Sequence, residues 1–546
     1  MNLDGRPRAG DLLAPNVDGA VVVAAMLDRR LVSLATPVDD PRRLAAVTVA
    51  TWEGRRIFRA SVCLLLLEAA RRLAPGAVVR VGPRRNEAQL VLCQPGLDLE
   101  ALASEMRSLS HAPSCIRELL LPITEARSRL AAQGWDDAAM LLDIRRERLV
   151  PLVACGETVA LDLGPFVVDA QRLEGFSLRP HEGGLLLDFG HSIRPHTAVL
   201  TSMMPAIDLR KLTVRATRSR MTEELTTWRS TSGVASVGAF ARACVRGELE
   251  DIIRLSEGFH EKHVGRIADA IVAREGVHVV AIAGPSASGK STFIRRLSVQ
   301  LEVNGLRPVH LSLDDYYVDR SRTPRDGTGA YDFESLGAID HDLLRDHVQR
   351  LLGGEQVRGA SYDFVAGLCR PEGGPNLALG PGTILLLEGL HALAPRLLAP
   401  LLRDAPVFRI FVHPATALPC DRLTSILPED LRLLRRIVRD RHVRGNTATE
   451  SIQRWPSVRR GEEQHVFSCL PEADVVFDSS LVYEVAALRV YADRYLLEVD
   501  PSDAAFATAT RLRQLLDLFV PIYPEHVPPT SILREFIGGS SFDVDR

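Results

Sequence analysis

The second half of this 546-residue chain predicts an α/β fold built on a doubly wound parallel sheet. After about residue 250, short β-rich runs alternate with helical segments, a glycine-rich loop joins one run to a helix, and acidic residues follow two of the runs. Strands that alternate with helices lie parallel in one sheet, with helices covering both faces. The predicted strands are VHVVAIAG (277–284), PVHLSL (308–313), TILLLEG (383–389), VFRIFVH (407–413) and DVVFDS (474–479).

The first half has a different texture, which predicts an α+β region. Residues 1–55 alternate short apolar runs with acidic and proline breaks, as in a small β-rich module. Residues 59–76 have apolar positions at helical spacing, and VVRVGPRRNEAQLVLC then predicts two strands around a turn. The expected domains are 1–55, an α+β domain at 56–200, a connecting segment at 201–265, the parallel-sheet domain at 266–480 and a helical extension at 481–546.

Composition excludes several classes of protein. A chain with 46% apolar and 25% charged residues is folded and too long for one core. A net charge of −3 with well-mixed signs gives no reason to expect a nucleic-acid partner. The N-terminus lacks the apolar core of a signal peptide, and no run is long enough to span a membrane. The eight cysteines form no CxxC pair, so we expect a reduced, cytoplasmic protein; a homo-oligomer stays open.

The segment GPSASGKS, Gly284–Ser291, fits the P-loop pattern GxxxxGK[ST] between a predicted strand and helix. In such loops the backbone N–H groups surround phosphate oxygens, the lysine reaches the β- and γ-phosphates, and the final hydroxyl holds Mg²⁺. An ordinary glycine-rich turn is the alternative. The chain contains only three lysines, and one of them occupies the required position, which favours a phosphate site. The expected ATP contacts here are Gly284, Ser286, Ala287, Ser288, Gly289, Lys290, Ser291 and Thr292.

Carboxylates follow two predicted strands of the same sheet. Asp314 and Asp315 come directly after PVHLSL, and Glu388 ends TILLLE. Ligands of doubly wound sheets bind beyond the carboxyl ends of the strands. One carboxylate there can accept the proton of an attacking hydroxyl while another binds Mg²⁺. Each acid alone could be a helix cap or a solvated turn, but both together beside a P-loop favour catalysis.

Arginines recur at helical spacing in LRLLRRIVRDRHVRG, residues 431–445. Arg432, Arg435, Arg436 and Arg439 fall three and four residues apart, so they share one helix face. A run of charge is commonly a solvated face. In a kinase, a mobile basic helix closes over ATP and neutralises the transferring phosphoryl group, and we expect that role here.

Taken together, these segments resemble the uridine kinase and phosphoribulokinase superfamily over about residues 276–480. LSLDDYY resembles the segment with the catalytic aspartate, and YDFESLGAID (331–340) resembles the acceptor segment. YDFVAG (362–367) resembles the segment that packs on the base, and LLLEGLHAL resembles the metal-site strand. The resemblance implies an ATP- and Mg²⁺-dependent kinase of a small-molecule acceptor. It implies that Asp314 is the general base and that Ser291 and Glu388 bind the metal. The residues implied to contact ATP are Arg435, Arg436 and Arg439, and those implied to bind the acceptor are Tyr317, Glu334, Tyr362 and Arg432.

One departure leaves the acceptor open. Uridine kinases place a histidine two residues after YDFV to hydrogen-bond the pyrimidine, and this chain has Gly367 there. The expected acceptor is the 5′-hydroxyl of a nucleoside, and the alternative is another polyol or a sugar phosphate, as in phosphoribulokinase.

The first half resembles a TGS-like module followed by the editing domain of threonyl-tRNA synthetase, in RASVCLLLLEAARRLAPGAVVRVGP and LVACGETV. That domain uses HxxxH and CxxxH, whereas this chain has Ala60 and Leu64 for the first pair and Cys155 with Val159 for the second. Apolar side chains cannot ligate zinc, so we expect a catalytically dead module. The rival to a kinase is a nucleotide- or RNA-binding regulator with a P-loop switch, but a switch needs no acceptor base, and Asp314 and Glu388 are intact.

Overall fold

The computed structural model describes most of the chain. Residues 191–223, which hold the start of the predicted connecting segment, lie outside the described residues. The described ranges are 6–85, 88–94, 96–112, 115–181, 183–190, 224–225, 227–325, 329, 331–402, 405–416 and 418–542.

The described residues of the first half form three antiparallel sheets. In the first, β2 pairs with β1, β3 and β4; the second has the order β10–β11–β6–β5 and the third β7–β8–β9. The strands are β1 (Asn16–Val17), β2 (Ala20–Leu27), β3 (Arg30–Val32), β4 (Leu44–Thr48), β5 (Arg80–Arg85), β6 (Ala88–Leu92), β7 (Ile116–Pro122), β8 (Leu149–Cys155), β9 (Thr158–Leu161), β10 (Ser177–His181) and β11 (Gly184–Asp188).

Helices cover these sheets and continue toward the second half. The 22-residue helix α2 begins where the Thr51 hydroxyl accepts a hydrogen bond from the Gly54 N–H, and it buries most of its length. Among the described residues up to 272, the helices include α1 (Ala9–Leu12), α2 (Trp52–Leu73), α3 (Leu99–His111), α4 (Ile123–Ala132), α5 (Asp136–Leu142), α6 (Val237–Val245) and α7 (Leu249–Val272).

The second half is built on a five-stranded parallel sheet of order β13–β18–β12–β19–β20, which confirms the predicted α/β fold. Alternate residues of a strand face opposite sides, and so Val280 and Ile282 join one hydrophobic cluster while Val279 and Ala281 join another. All five predicted strands are present: β12 (Val279–Ala283), β13 (Arg307–Ser312), β18 (Thr383–Glu388), β19 (Val407–His413) and β20 (Val475–Asp478).

Helices pack on both faces of this sheet, and two short strand pairs lie beside it. The helices are α8 (Lys290–Val303), α9 (His341–Leu352), α10 (Pro395–Leu402), α11 (Pro428–Arg439), α12 (Ala448–His465), α13 (Glu484–Leu497), α14 (Phe506–Leu516) and α15 (Arg534–Ile537). The short strands are β14 (Val357–Arg358), β15 (Ser361–Asp363), β16 (Leu368–Arg370) and β17 (Asn376–Leu377). Within the described ranges, no helix has both the length and the apolar character of a membrane span.

The loop before α11 joins the two halves. The buried Asp421 carboxylate accepts a hydrogen bond from the Leu161 N–H at 3.1 Å. Arg422 donates from Nη2 to the Gly134 carbonyl at 2.7 Å, and its own carbonyl accepts from the Val81 N–H at 2.8 Å. One hydrophobic cluster runs continuously from the first half into α14 and α15. The halves therefore share a core.

Candidate active site

The P-loop, Gly284–Ser291, lies between β12 and α8. Gly289 has a φ of +89°, in the left-handed region that favours glycine, and α8 begins at the next residue. Lys290 folds back over the loop and donates from Nζ to the carbonyls of Gly284 at 2.8 Å and Pro285 at 3.2 Å. Ser291 is exposed beside it.

The two predicted carboxylates lie together at the carboxyl edge of the sheet. β13 and β18 are parallel neighbours whose register pairs Ser312 with Glu388. The Ser312 hydroxyl donates to Glu388 Oε1 at 2.9 Å and accepts from the Asp314 N–H at 3.3 Å. A residue that the sequence analysis did not single out, Ser312, thus links the ends of the two strands.

Lys290 lies close enough to both carboxylates to alter their ionisation. Burial raises the pKa of Glu388 to about 7, the Asp314 charge adds to the rise, and Lys290 opposes it. Burial also raises the pKa of Asp314, against the attraction of Lys290, Arg444 and Arg439. Two carboxyl groups and one ammonium therefore share one low-dielectric site, where a further cation would lower the repulsion.

The donors present fit Mg²⁺. Glu388 and Asp314 offer carboxylate oxygens, Ser291 offers a hydroxyl, and magnesium prefers oxygen ligands together with phosphate oxygens. The mutual repulsion of the two carboxyl groups is the observation that favours a divalent cation between them.

The arginine stripe of α11 divides into two parts, and the first part is buried. Arg432 forms two hydrogen bonds to the Glu462 carboxylate, at 2.9 and 2.6 Å, and one to the Ser286 carbonyl at 3.3 Å. Arg435 pairs with the buried Glu484 and donates to the Ser288 carbonyl at 3.2 Å. The guanidinium groups of these two arginines therefore lie inside the core and brace the P-loop, a placement that the helical spacing alone did not indicate.

The second part of the stripe faces the carboxylates. Arg436 and Arg439 both contact Asp440, a fully buried carboxylate, and Arg436 also donates to the Ser286 hydroxyl at 3.1 Å. Arg444, which the sequence analysis did not select, approaches Asp440 to 3.8 Å and influences Asp314 electrostatically. Arg439 and Arg444 therefore act electrostatically on Asp314, and Arg436 lies beside these two cations.

The predicted acceptor residues lie on one side of these cations. The rings of Tyr317 and Tyr362 are 5.6 Å apart, and the ring of Phe364 lies 5.1 Å from that of Tyr362. Glu334 lies beside Arg436, which opposes the rise in its pKa that burial causes. The structure thus brings Tyr317, Tyr362 and Glu334 near the arginines, whereas Arg432 is held by Glu462 behind the P-loop.

Arg320 fills the space beside Gly367. Gly367 has a φ of +71°, and a Cβ built on it would lie 2.8 Å from both Cβ and Nε of Arg320. The Arg320 guanidinium donates to the Phe364 carbonyl at 2.5 Å, and the backbone N–H of Arg320 donates to the Gly367 carbonyl at 2.8 Å. A histidine at 367 would meet this arginine, and the sequence alone gave no sign of it.

Two carboxylates of the chain itself hold N–H groups of the phosphate loop. The Ser286 N–H donates to Glu462 Oε1 at 2.7 Å, and the Thr292 N–H donates to Glu535 Oε2 at 3.1 Å. Glu535 lies on α15, near the C-terminus. Ile532 packs on the loop so closely that a Cβ on Gly289 would lie 2.7 Å from it. The segment before and within α15 is therefore built against the P-loop.

The four editing-motif positions of the first half lie around α2 and β8. Leu64, Val159 and Cys155 are buried, and Ala60 is partly buried. Cys155 Sγ lies 3.0 Å from Cys115 Sγ, and this contact together with burial raises the pKa of Cys155. Over the described ranges, no group of three or more His, Cys, Asp or Glu side chains is placed to hold a metal ion.

A P-loop lysine beside two strand-end carboxylates, on a parallel sheet of this order, defines the second half as a P-loop kinase domain. The family model "Phosphoribulokinase / Uridine kinase family" matches residues 279–486. A uridine kinase of Deinococcus deserti is 30% identical over 177 residues, which are 32% of this chain and 75% of that protein. The chain therefore belongs to the phosphoribulokinase and uridine kinase family.

Further relatives match the same part of the chain. Uridine kinases of Chloroflexus aurantiacus and Staphylococcus epidermidis are 28% and 29% identical, and both alignments span 36% of this chain. They cover 85% and 86% of those proteins. The prediction of a phosphotransferase with a hydroxyl acceptor is confirmed by this family.

Proposed function

We propose that the chain transfers the γ-phosphoryl group of ATP to the 5′-hydroxyl of a nucleoside. The observation that supports this is the grouping of Lys290, Asp314 and Glu388 at the carboxyl edge of the sheet, beside the aromatic side chains of Tyr317 and Tyr362. The relatives with the same domain are uridine kinases. The reaction belongs in the cytoplasm, where ATP is available.

Asp314 is the proposed general base. Its carboxylate follows β13 and lies close to Lys290 and Arg444, which favour the ionised form against burial. An ionised carboxylate there accepts the proton of the attacking hydroxyl. Lys290, Arg436 and Arg439 face the charge that develops on the transferring group. Glu388 and Ser291 would hold Mg²⁺, which neutralises phosphate charge when bound.

Glu462 and Glu535 occupy positions that phosphate oxygens take in a P-loop. Backbone N–H groups that bind a carboxylate bind a phosphate by the same charge-assisted hydrogen bond. ATP therefore displaces Glu535 from Thr292 and Glu462 from Ser286. Glu535 is the easier to move, because it lies in a C-terminal segment and has no arginine partner among the described residues, whereas Glu462 is held by Arg432.

A sugar phosphate is the second candidate acceptor, and Arg320 favours it. A guanidinium beside Gly367 presents a cation where the uridine kinase resemblance implies a histidine. Guanidinium groups bind phosphate oxygens well. A panel of nucleosides, polyols and sugar phosphates, assayed for ADP release, separates the two acceptors.

Residues 1–55 and 56–200 are proposed to be a TGS-like module and an editing-like domain that has lost catalysis. The support is the motif resemblance, with Ala60, Leu64 and Val159 in place of histidines. Cys155 faces another thiol, Cys115, in the core. We expect no stoichiometric zinc and no hydrolysis of mischarged tRNA. Elemental analysis that finds about one zinc per chain, lost on Cys155→Ala, would contradict this.

The substitution Asp314→Asn tests the proposed base. It preserves shape and most hydrogen bonding while removing the proton acceptor, so turnover should fall by a factor on the order of 10² to 10⁴. ATP binding, measured separately by calorimetry, should persist. Asp315→Asn is the matched control, because the next side chain starts in a different direction. Normal turnover in both variants would contradict the mechanism, and loss only in Asp315→Asn would assign the base to Asp315.

A further inference from the structure

A cavity of about 140 Å³ lies between the first turns of α2, the loop before α11, and α14. We call it the arginine cavity. Its volume is comparable to cavities that enclose a single aromatic ring. Much of its wall is apolar. Its lining includes Trp52, Ile57, Phe166, Leu423, Leu427 and Leu515.

Cations outnumber anions in this wall. Four arginines line the cavity, against two carboxylates: Arg56, Arg59, Arg84 and Arg511, with Glu429 and Asp430. Both carboxylates already have partners. Arg511 forms two hydrogen bonds to Asp430, each of 2.7 Å, and Arg84 lies 3.5 Å from Glu429. The acids of the wall therefore leave a positive excess.

Arg56 is the arginine of this wall with two shielded guanidinium nitrogens that lack a hydrogen-bond acceptor among the described residues. Its Nε and Nη2 atoms are buried, and no atom of the described residues accepts a hydrogen bond from either. Burial and the neighbouring Arg511 lower the pKa of Arg56 to about 10, against the attraction of Asp430, Glu53 and Asp162. Guanidinium N–H groups that are shielded from water and lack an acceptor are costly, so a ligand that supplies an acceptor gains affinity.

We propose that the arginine cavity binds a small organic anion, whose carboxylate or phosphate group meets Arg56 and whose body, about the size of an aromatic ring, lies between Trp52 and Phe166. Planar guanidinium groups match the geometry of both headgroups. The cavity shares no residue with the P-loop, and the proposal does not depend on the kinase assignment.

The test uses the full chain with Lys290→Met, because phosphate would otherwise also bind the P-loop. Calorimetry compares phenyl phosphate, benzoate and phenol, three probes with the same ring. At least one anion should bind with a dissociation constant in the millimolar range or below, and phenol should bind at least tenfold more weakly. Arg56→Met should weaken binding of that anion at least tenfold, and the better anion identifies the headgroup.

A second variant guards against misfolding. Ala60 lines the cavity with a small side chain, and Ala60→Leu fills the space while leaving Arg56 in place. This variant should bind phenyl phosphate and benzoate more weakly than its parent does. Binding of inorganic phosphate, which needs less space, should fall less. The proposal is overturned if phenol binds as well as the anions, if none of the anions produces heat, or if Arg56→Met and Ala60→Leu both bind like their parent.

Discussion

The arginines behind the P-loop and Arg56 in the arginine cavity have different electrostatic surroundings. Behind the P-loop, Arg432 and Arg435 each pair with a buried glutamate, Glu462 and Glu484. In the arginine cavity, Arg56 has no hydrogen-bond acceptor for Nε and Nη2 within the described part of the chain. The comparison teaches that a buried cation with an ion-pair partner acts as a structural brace, whereas one without such a partner marks a place that favours an added anion.

The largest effect on stability is expected from Arg435→Met. This change leaves the Glu484 carboxylate buried without its cation, and breaking a buried pair by removing one partner costs about 3–5 kcal/mol. The midpoint of denaturant unfolding measures the loss. The double variant Arg435→Met/Glu484→Met should recover most of it, since an apolar pair of similar volume leaves no charge behind. A double variant as unstable as the single one would show that the ion pair is not the cause.

Lys290→Arg should act on catalysis rather than on stability. Lys290 contacts the carbonyls of Gly284 and Pro285, and a planar guanidinium cannot take the place of this compact ammonium between the two phosphates of the proposed ATP site. We expect turnover to fall by a factor on the order of 10², the usual effect of removing one positioned electrostatic donor. ATP affinity should fall as well. Kinetics like those of the wild type would mean that the loop does not bind phosphate as a P-loop does.

How much of the structure the sequence predicts depends on whether the interacting residues lie close together in the chain. The five strands and the P-loop follow from local patterns, and the structure contains them. The burial of Arg432 and Arg435 could not be predicted from their spacing, because the glutamates that pair with them come from other helices. Glu462 and Glu535 lie 176 and 243 residues from the N–H groups that they contact, beyond the reach of any periodicity.

Glu535→Gln should change ATP affinity less than Lys290→Arg does, and it should raise the affinity rather than lower it. An amide accepts a weaker hydrogen bond from the Thr292 N–H than a carboxylate does, so ATP displaces it more easily. We expect ATP to bind about fivefold more tightly, corresponding to about 1 kcal/mol, with little change in turnover at saturating ATP. Calorimetry with a non-hydrolysable ATP analogue measures the change. Weaker binding would instead make Glu535 part of the nucleotide site.

The smallest effect on stability is expected from Arg56→Met. This substitution gives the sharpest comparison between the arginines behind the P-loop and Arg56 in the arginine cavity. Removing this guanidinium leaves the Asp430 carboxylate with both of its hydrogen bonds to Arg511, and Asp162 keeps its hydrogen bond from the Gly164 N–H. The methionine is apolar and can pack against Trp52 and the leucines of the wall. Replacing a poorly compensated charge by an apolar side chain is commonly neutral or stabilising. The free energy of unfolding, measured from the denaturant midpoint, should therefore stay unchanged or rise by up to about 1 kcal/mol. Measured beside Arg435→Met under the same denaturant, the two substitutions should differ by about 3 kcal/mol or more. An equal loss of stability in both would mean that Arg56 is a structural brace as well.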